Sequence, residues 1–381
     1  MNDNSTPLKI FVIAGEASGD QLGARFLQDH YKDQEIKVAG VGGHSLTQVG
    51  NFETLFEMED LSVMGVAEVL PRLRLLLKRI HQTAKAIHDF KPDIVLTIDA
   101  PDFCFRVIKK YQKLFHKRGE AGAPLFHHLV APTVWAWRAG RAKKIAQILD
   151  HLYCLFPFEP PYFEVEGLSA TYIGHPFLSL YTELDKKREL WRHQHGIAAD
   201  TQLIGIFPGS RKGEIKRMLP VLSKVAEKLS QSYPNAVFTI LTLPHLKKMI
   251  EKRLKKRSFK AIVIDDVSQK EFLIASLDAA MATSGTIGFE LSLAKIPHIV
   301  AYKMNNLTSL IAKVLVKTPY MHLTNIHLKR MVVPEFFQKE CHAVAVEQAM
   351  HEILDIKNSA GKDQKQAFQT LLNLLEIENT D

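Results

Sequence analysis

Short, wholly apolar runs separated by longer amphipathic stretches recur through the chain in two successive passes. In the first pass Leu8–Ala14, Lys37–Val41, Ile94–Ile98, Leu125–Val130 and Leu152–Phe156 read as strands, with helical stretches such as Gln21–Tyr31, Arg72–Phe90 and Phe103–Phe115 between them. A strand that is apolar at nearly every residue, rather than at every second one, is buried on both faces, and intervening helices supply the cover. That pattern specifies parallel sheets in α/β layers. It pauses from Gly174-His175-Pro176 through a charged helical passage (Asp185-Lys186-Lys187-Arg188) closed by Gly196. It restarts with Leu203–Phe207, Val237–Leu241, Ile262–Ile264, Ala279–Ala282 and His298–Ala301, with Lys216–Ser232 among the helices. The expected fold is α/β, with two tandem Rossmann-like domains joined near residues 175–200. Ligands of open parallel sheets bind beyond the carboxyl ends of the strands, so two such sheets facing each other make a cleft.

A length of 381 residues suits two domains, and 46% hydrophobic with 24% charged residues is a globular composition. The 49 Lys and Arg against 41 Asp and Glu leave +8, a surplus that draws nucleic acid, an anionic membrane face or phosphorylated substrates, or that marks a soluble enzyme which is simply basic. Cys104, Cys154 and Cys341 lie far apart without a CxxC pair, which argues against a zinc site or a disulfide framework and fits a reducing compartment. Met1 to Lys9 lack the apolar core of a signal peptide. No run approaches the roughly 18 apolar residues of a spanning helix. The expectation is a cytoplasmic protein that meets any membrane from the side.

Four loops carry chemistry. Gly15-Glu16-Ala17-Ser18-Gly19-Asp20 follows the first strand; glycine permits a tight turn, and a helix start offers free amides. The spacing is not GxGxxG, which argues against a dinucleotide site, and Glu16 and Ser18 point to sugar binding. The same residues also describe an ordinary turn with Asp20 near a helix start. Asp99-Ala100-Pro101-Asp102 ends the strand Ile94–Ile98, where a carboxylate serves as a general base. Asp102 fits a helix-capping role better than Asp99 does. Pro208-Gly209-Ser210-Arg211, with Glu214 beyond, offers a turn, a hydroxyl, amides and a guanidinium to a diphosphate. No Gly-Lys-Ser/Thr follows, which rules out a Walker loop. Ser284-Gly285-Thr286, with Glu290 one turn on, suits phosphate at the helix start and ribose hydroxyls at the acid.

Two surface features stand apart from these loops. Val63-Met64-Gly65-Val66 precedes the run Arg72-Leu73-Arg74-Leu75-Leu76-Leu77-Lys78-Arg79-Ile80, in which leucines mix with cations as on an interfacial helix, or equally as on a core helix whose basic residues face water. Leu307–Lys317 is a second such passage. Trp135-Ala136-Trp137-Arg138 ends another strand, where Arg138 could meet an acceptor phosphate.

Taken in order, Gly15–Asp20, Val63-Met64-Gly65, Asp99–Asp102, Val134–Arg138, Ile173-Gly174-His175, Pro208–Arg211, Ser284–Thr286 and Leu315-Val316-Lys317-Thr318 resemble the lipid-A-disaccharide synthases. The resemblance implies the GT-B architecture: an acceptor domain over 1–180, a UDP-sugar domain over 181–355, and a closing helix over 356–381 that returns to the first domain. It implies an inverting, UDP-sugar-dependent glycosyltransferase of lipid A biosynthesis. UDP-2,3-diacylglucosamine and 2,3-diacylglucosamine 1-phosphate would become a β-1,6-linked disaccharide 1-phosphate and UDP. The place implied is the inner face of the inner membrane, peripheral on its anionic surface, with no nucleic acid partner and a homo-oligomer left open.

By the same resemblance Asp99 is the base, with Glu16 and Ser18 beside it. Gly209, Ser210, Arg211, Ser284, Gly285, Thr286, Glu290 and Asn325 would hold the donor. Met64, Arg72, Arg74, Trp137 and Arg138 would face the acceptor or membrane. No cofactor and no metal are expected, because amides and Arg211 can meet the charge of the departing UDP. Similar chains often carry Pro-Asn where this one has Thr324-Asn325, and the stretch Ile326–Arg330 departs from the pattern. The rival readings are another UDP-N-acetylglucosamine enzyme of like architecture, such as a peptidoglycan glycosyltransferase or an epimerase, and a non-catalytic lipid or nucleotide binder at a membrane.

Overall fold

The computed structural model describes residues 6–50, 52–61, 66–135, 140–175, 177–283, 285–304, 319–355 and 357–377. Met64, Trp137, Arg138, Ser284 and all of Leu307–Thr318 lie outside them. Contacts divide the chain into two compact units between Pro176 and Phe177.

The first unit carries β1 (Leu8–Ala14), α1 (Ala17–His30), β2 (Ile36–Val41), α2 (Val66–Phe90), β3 (Ile94–Ile98), α3 (Pro101–Leu114) and β4 (Leu125–Leu129). It continues with α4 (Arg141–Ala146), β5 (His151–Cys154), α5 (Pro161–Glu164) and β6 (Ser169–Tyr172). Its six strands are all parallel, in the order β2-β1-β3-β4-β5-β6. β3 is buried at every residue, as its unbroken Ile94–Ile98 run requires. Helices α2 and α3 contact each other and bury Ile80, Ala84, Ile87, Val107 and Ile108 against the sheet.

The second unit holds α6 (Leu184–Gln194), β7 (Leu203–Phe207), α7 (Lys212–Ser232), β8 (Val237–Leu241), α8 (Pro244–Leu254), β9 (Ala261–Ile264), α9 (Lys270–Ser276) and β10 (Ala279–Ala282). It ends with α10 (Thr286–Leu293), β11 (His298–Tyr302), α11 (Leu323–Leu328), β12 (Glu335–Phe337), α12 (Ala343–Leu354) and α13 (Ala360–Ile377). The six strands are again parallel, in the order β12-β11-β10-β7-β8-β9. Read from β7, this is the doubly wound order of dinucleotide-binding sheets, although the glycine fingerprint is missing. The closing helix α13 contacts α10, α11 and α12, with Phe368 buried and stacked on His298. Gln364 bridges the amide and carbonyl of His298.

The charged passage before Gly196 is α6, and its two arginines turn inward while Lys186 stays exposed. Arg192, 5% exposed, donates to the carbonyls of Ser276, Ala198 and Thr201 and to Asp278. Arg188 joins the same carboxylate at 2.6 Å. A buried guanidinium needs this many acceptors to offset its lost hydration. The three cysteines are buried thiols. No described helix is long and apolar enough to cross a membrane.

Candidate active site

In each sheet the loops singled out from the sequence leave neighbouring strands where the strand order reverses, the point at which open α/β sheets bind their ligands. In the first unit Ala14 lies in register with Ile98, so Gly15 and Asp99 start side-by-side turns. A Cβ added at Gly15 would sit 2.7 Å from the Cβ of Ala100, and one at Gly19 would touch Ile98 and the Cβ of Asp99. The glycines of this loop therefore serve close approach: they let the start of α1 lie against the turn after β3. Glu16 is the extended residue preceding α1 and Ser18 lies in its first turn, both half-buried.

Asp99 and Ala100 both adopt left-handed backbone, with φ of 49° and 40°. Such a conformation costs non-glycine residues about 1–3 kcal/mol each and persists where surroundings over-determine it, typically at functional sites. Ala100 also escapes the extended range that a following proline favours; the turn is aimed by this left-handed pair rather than by Pro101. The Asp99 carboxylate is half-buried, and its charge together with burial raises the thiol of Cys104. Asp102 points to solvent and pairs loosely with Arg141 at 3.4 Å.

Asp20 lies in the first turn of α1, as the ordinary-turn reading has it, and does more besides. It is 4% exposed and accepts from the amides of Gly43, Ser45 and Leu46 at 2.7, 2.7 and 3.2 Å, tying the turn after β2 to α1. Glu159 went unnoticed in the sequence. It is 2% exposed, accepts from Trp135 Nε1 at 3.4 Å and the Phe156 amide at 3.1 Å, and burial pushes its pKa up to about 8.

In the second unit Phe207 is in register with Ala282, and the Thr283 amide donates to the Phe207 carbonyl. The loops after β7 and β10 thus run alongside each other. Gly209 has φ +109°, and a Cβ there would meet Glu214 at 2.5–2.7 Å. The expectation of free amides in this loop needs correcting. Glu214 Oε2 accepts from the amides of Ser210 and Arg211 at 3.2 and 3.3 Å, and Oε1 pairs with Arg211 at 3.5 Å. An acid in the first turn of a helix is held there by the exposed amides and the helix dipole. The Tyr302 hydroxyl also reaches Glu214, at 3.4 Å, and Arg217 lies close enough to Tyr302 to act on its ionisation.

The start of α10 differs. Gly285, at φ +145°, has open space where a Cβ would stand, and Thr286 is exposed. Glu290 faces inward at 3% exposure, accepting from Tyr181 at 2.6 Å and Lys270 at 2.9 Å. Beneath α10, His298 and His322 approach Nε2 to Nε2 at 3.2 Å. His298 Nδ1 donates to the Ile296 carbonyl and His322 Nδ1 accepts from the Thr324 amide, so the shared proton sits on His322 Nε2. Burial lowers both pKa values, that of His298 to about 4.

Asn325 departs from its expected place at the donor. It is fully buried; Nδ2 donates to the Val333 carbonyl and Glu335 Oε1, and Oδ1 accepts from the amides of Val332 and Val333, all at 2.7–2.9 Å. Every polar valence of this amide is spent on closing the divergent 326–330 stretch onto the approach to β12. Thr324 donates its hydroxyl to Ser292 of α10 at 2.7 Å, and its amide to His322, which a proline at that position could not do. Arg72 and Arg74 are exposed on α2 beside Leu73 and Leu77, 41% and 53% exposed.

Comparison with known proteins settles the family. The description "Lipid-A-disaccharide synthetase" matches residues 10–380. The lipid-A-disaccharide synthase of Rhodospirillum centenum is 41% identical over 352 residues, 91% of this chain and 86% of that one. That of Rickettsia bellii is 38% identical over 348 residues, 91% and 88% of the two chains. The chain belongs to the lipid-A-disaccharide synthase family. Among solved structures, UDP-GlcNAc 2-epimerase from Neisseria meningitidis bound to UDP-GlcNAc superposes with a TM-score of 0.63 at 14% identity, covering 97% of this chain and all of that one. MurG of Acinetobacter baumannii gives 0.54 at 12% identity, again covering 97% of this chain and all of the other. These two likenesses establish the fold, the paired-sheet GT-B arrangement, while the synthase family rests on the sequence relatives.

Proposed function

We propose that this member of the lipid-A-disaccharide synthase family transfers 2,3-diacylglucosamine from UDP to the 6-hydroxyl of 2,3-diacylglucosamine 1-phosphate, inverting the anomeric carbon. The observation that carries the reading is the pair of switch-point turns in a chain matched to that family from residue 10 to 380: one bears a half-buried acid on left-handed backbone, the other an open helix start beside Arg211. Asp99 takes the proton of the attacking hydroxyl, with Glu16 and Ser18 beside it. Arg211, Ser210 and the start of α10 at Gly285-Thr286 meet the charge of the departing UDP, and Glu290 takes its ribose. A cation and oriented amides already there make a metal dispensable for that step. The halves 1–180 and 181–355 take acceptor and donor.

The exposed Leu73 and Leu77, interleaved with Arg72, Arg74 and Lys78, support peripheral contact with an anionic membrane. The test incubates the protein with both acylated sugars in EDTA and follows UDP and disaccharide phosphate. Product that appears only on restoring a divalent ion refutes the metal-free step. Equal turnover of an unacylated UDP-N-acetylglucosamine moves the assignment to another sugar enzyme of this fold, and binding without UDP release makes the protein a non-catalytic binder.

A further inference from the structure

Glu290 is gripped by one oxygen only. Oε2 accepts from both the Tyr181 hydroxyl and the Lys270 ammonium, while Oε1 accepts nothing from the described residues. A buried carboxylate is costly unless a charge and hydrogen bonds compensate it. Here Lys270, itself 14% exposed, supplies the charge. Tyr181 supplies a neutral donor, its phenol pushed well above the usual range by burial and by Glu290 itself.

Lys270 is itself held in place. Lys270 lies 5.1 Å from the centre of the Phe177 ring and opens α9. The turn before α9 is fixed by Asp266, which accepts from Ser268 and Gln269. α9 is fastened to α6 through Lys187 and Glu271 at 3.2 Å. Glu290 therefore has its charge, its rotamer and one lone-pair set decided before any ligand arrives.

We propose that Lys270 and Tyr181 are positioning residues for the donor nucleotide: they saturate Oε2 of Glu290 so that Oε1 is presented, fixed in orientation, to the ribose hydroxyls. The proposal rests on the reading of Glu290 as a donor-site acid given above. Without Lys270 the buried carboxylate loses the cation that holds Oε2 and turns away, and an acceptor aimed at the sugar is lost.

The experiment is calorimetric titration of the full chain with UDP and with 2′,3′-dideoxy-UDP, joined to steady-state kinetics. Wild type is expected to prefer UDP, and Lys270→Met and Glu290→Gln each to weaken UDP about tenfold while binding dideoxy-UDP as wild type does. Lys270→Arg is expected to restore most of the loss and Tyr181→Phe to fall between. The KM for the UDP-sugar rises and that for the acceptor stays. Lys270→Met with wild-type affinity for UDP overturns the proposal, as does an equal loss for UDP and dideoxy-UDP, which would mark general damage. Wild-type protein that ignores UDP altogether overturns the donor-site reading itself, and the proposal with it.

Discussion

The amide of Asp99 donates to the carbonyl of Leu129 at 3.0 Å, so the backbone of the proposed base is fixed by the neighbouring strand β4 while its side chain stands clear of the ladder. Asp99→Asn keeps the shape and removes the base. It is expected to slow UDP release about 10²–10⁴-fold, whereas Asp102→Asn, at a side chain 87% exposed, stays near wild type. Equal losses in the two variants would take Asp99 out of that role.

Asn325 makes a separable claim. Asn325→Ala strands the amides of Val332 and Val333 and takes a donor from the Val333 carbonyl, and is expected to cost about 3–5 kcal/mol in urea unfolding. A direct donor contact with no structural duty would instead lower activity and leave the unfolding midpoint alone.

Glu214 occupies the amides that a phosphate would use. Glu214→Ala is expected to lower stability by about 1 kcal/mol through loss of the helix cap, and to raise affinity for UDP by releasing Ser210, Arg211 and its guanidinium. Weaker UDP binding in this variant would show that Glu214 orders the loop for its ligand.

Glu159 titrates near 4.5 in the unfolded chain and near 8 when folded. Between those values the folded chain keeps a proton that the unfolded chain has lost, so stability falls as pH rises through this window. Glu159→Gln removes the dependence. Its melting temperature is expected to exceed that of wild type by about 5 °C at pH 9 and to match it near pH 4.

Buried histidines act in the opposite sense. His128 is lowered to about 3, and His127, His298 and His327 to about 4, against 6.5 unfolded. In that interval the unfolded chain binds the extra protons. The contribution is complete above about pH 6.5 and is lost as pH falls towards 4. Urea midpoints of the Glu159→Gln variant, which lacks the opposing carboxyl, at pH 7 and 5 check this; a midpoint unchanged between them would mean these rings are reached by water.

The sequence reveals the central strands because both their faces are buried, and burial leaves an unbroken apolar signature. It conceals β6 and β12, whose residues are only half-covered and alternate with exposed ones (Ser169–Tyr172) or run Glu335-Phe336-Phe337. Loop placement is legible wherever a motif sits directly after a strand, as at Asp99 and Gly209. The partnerships were not: Tyr181 meets Glu290 across 109 residues and Asn325 finds Glu335 only once β12 is in place. Asp20 shows the converse, an acid whose address in a glycine-rich loop suggested one duty and whose three amide partners assign it another.

The exposed turn Lys117–Gly122 joins α3 to the start of β4, and nothing stands within 4 Å of a Cβ added at Gly119 or Gly122. In a sheet whose strands all point one way, that turn belongs to the rim opposite Gly15 and Asp99. It offers a handle: a fluorophore or affinity tag grafted there would report on the molecule from behind its working edge.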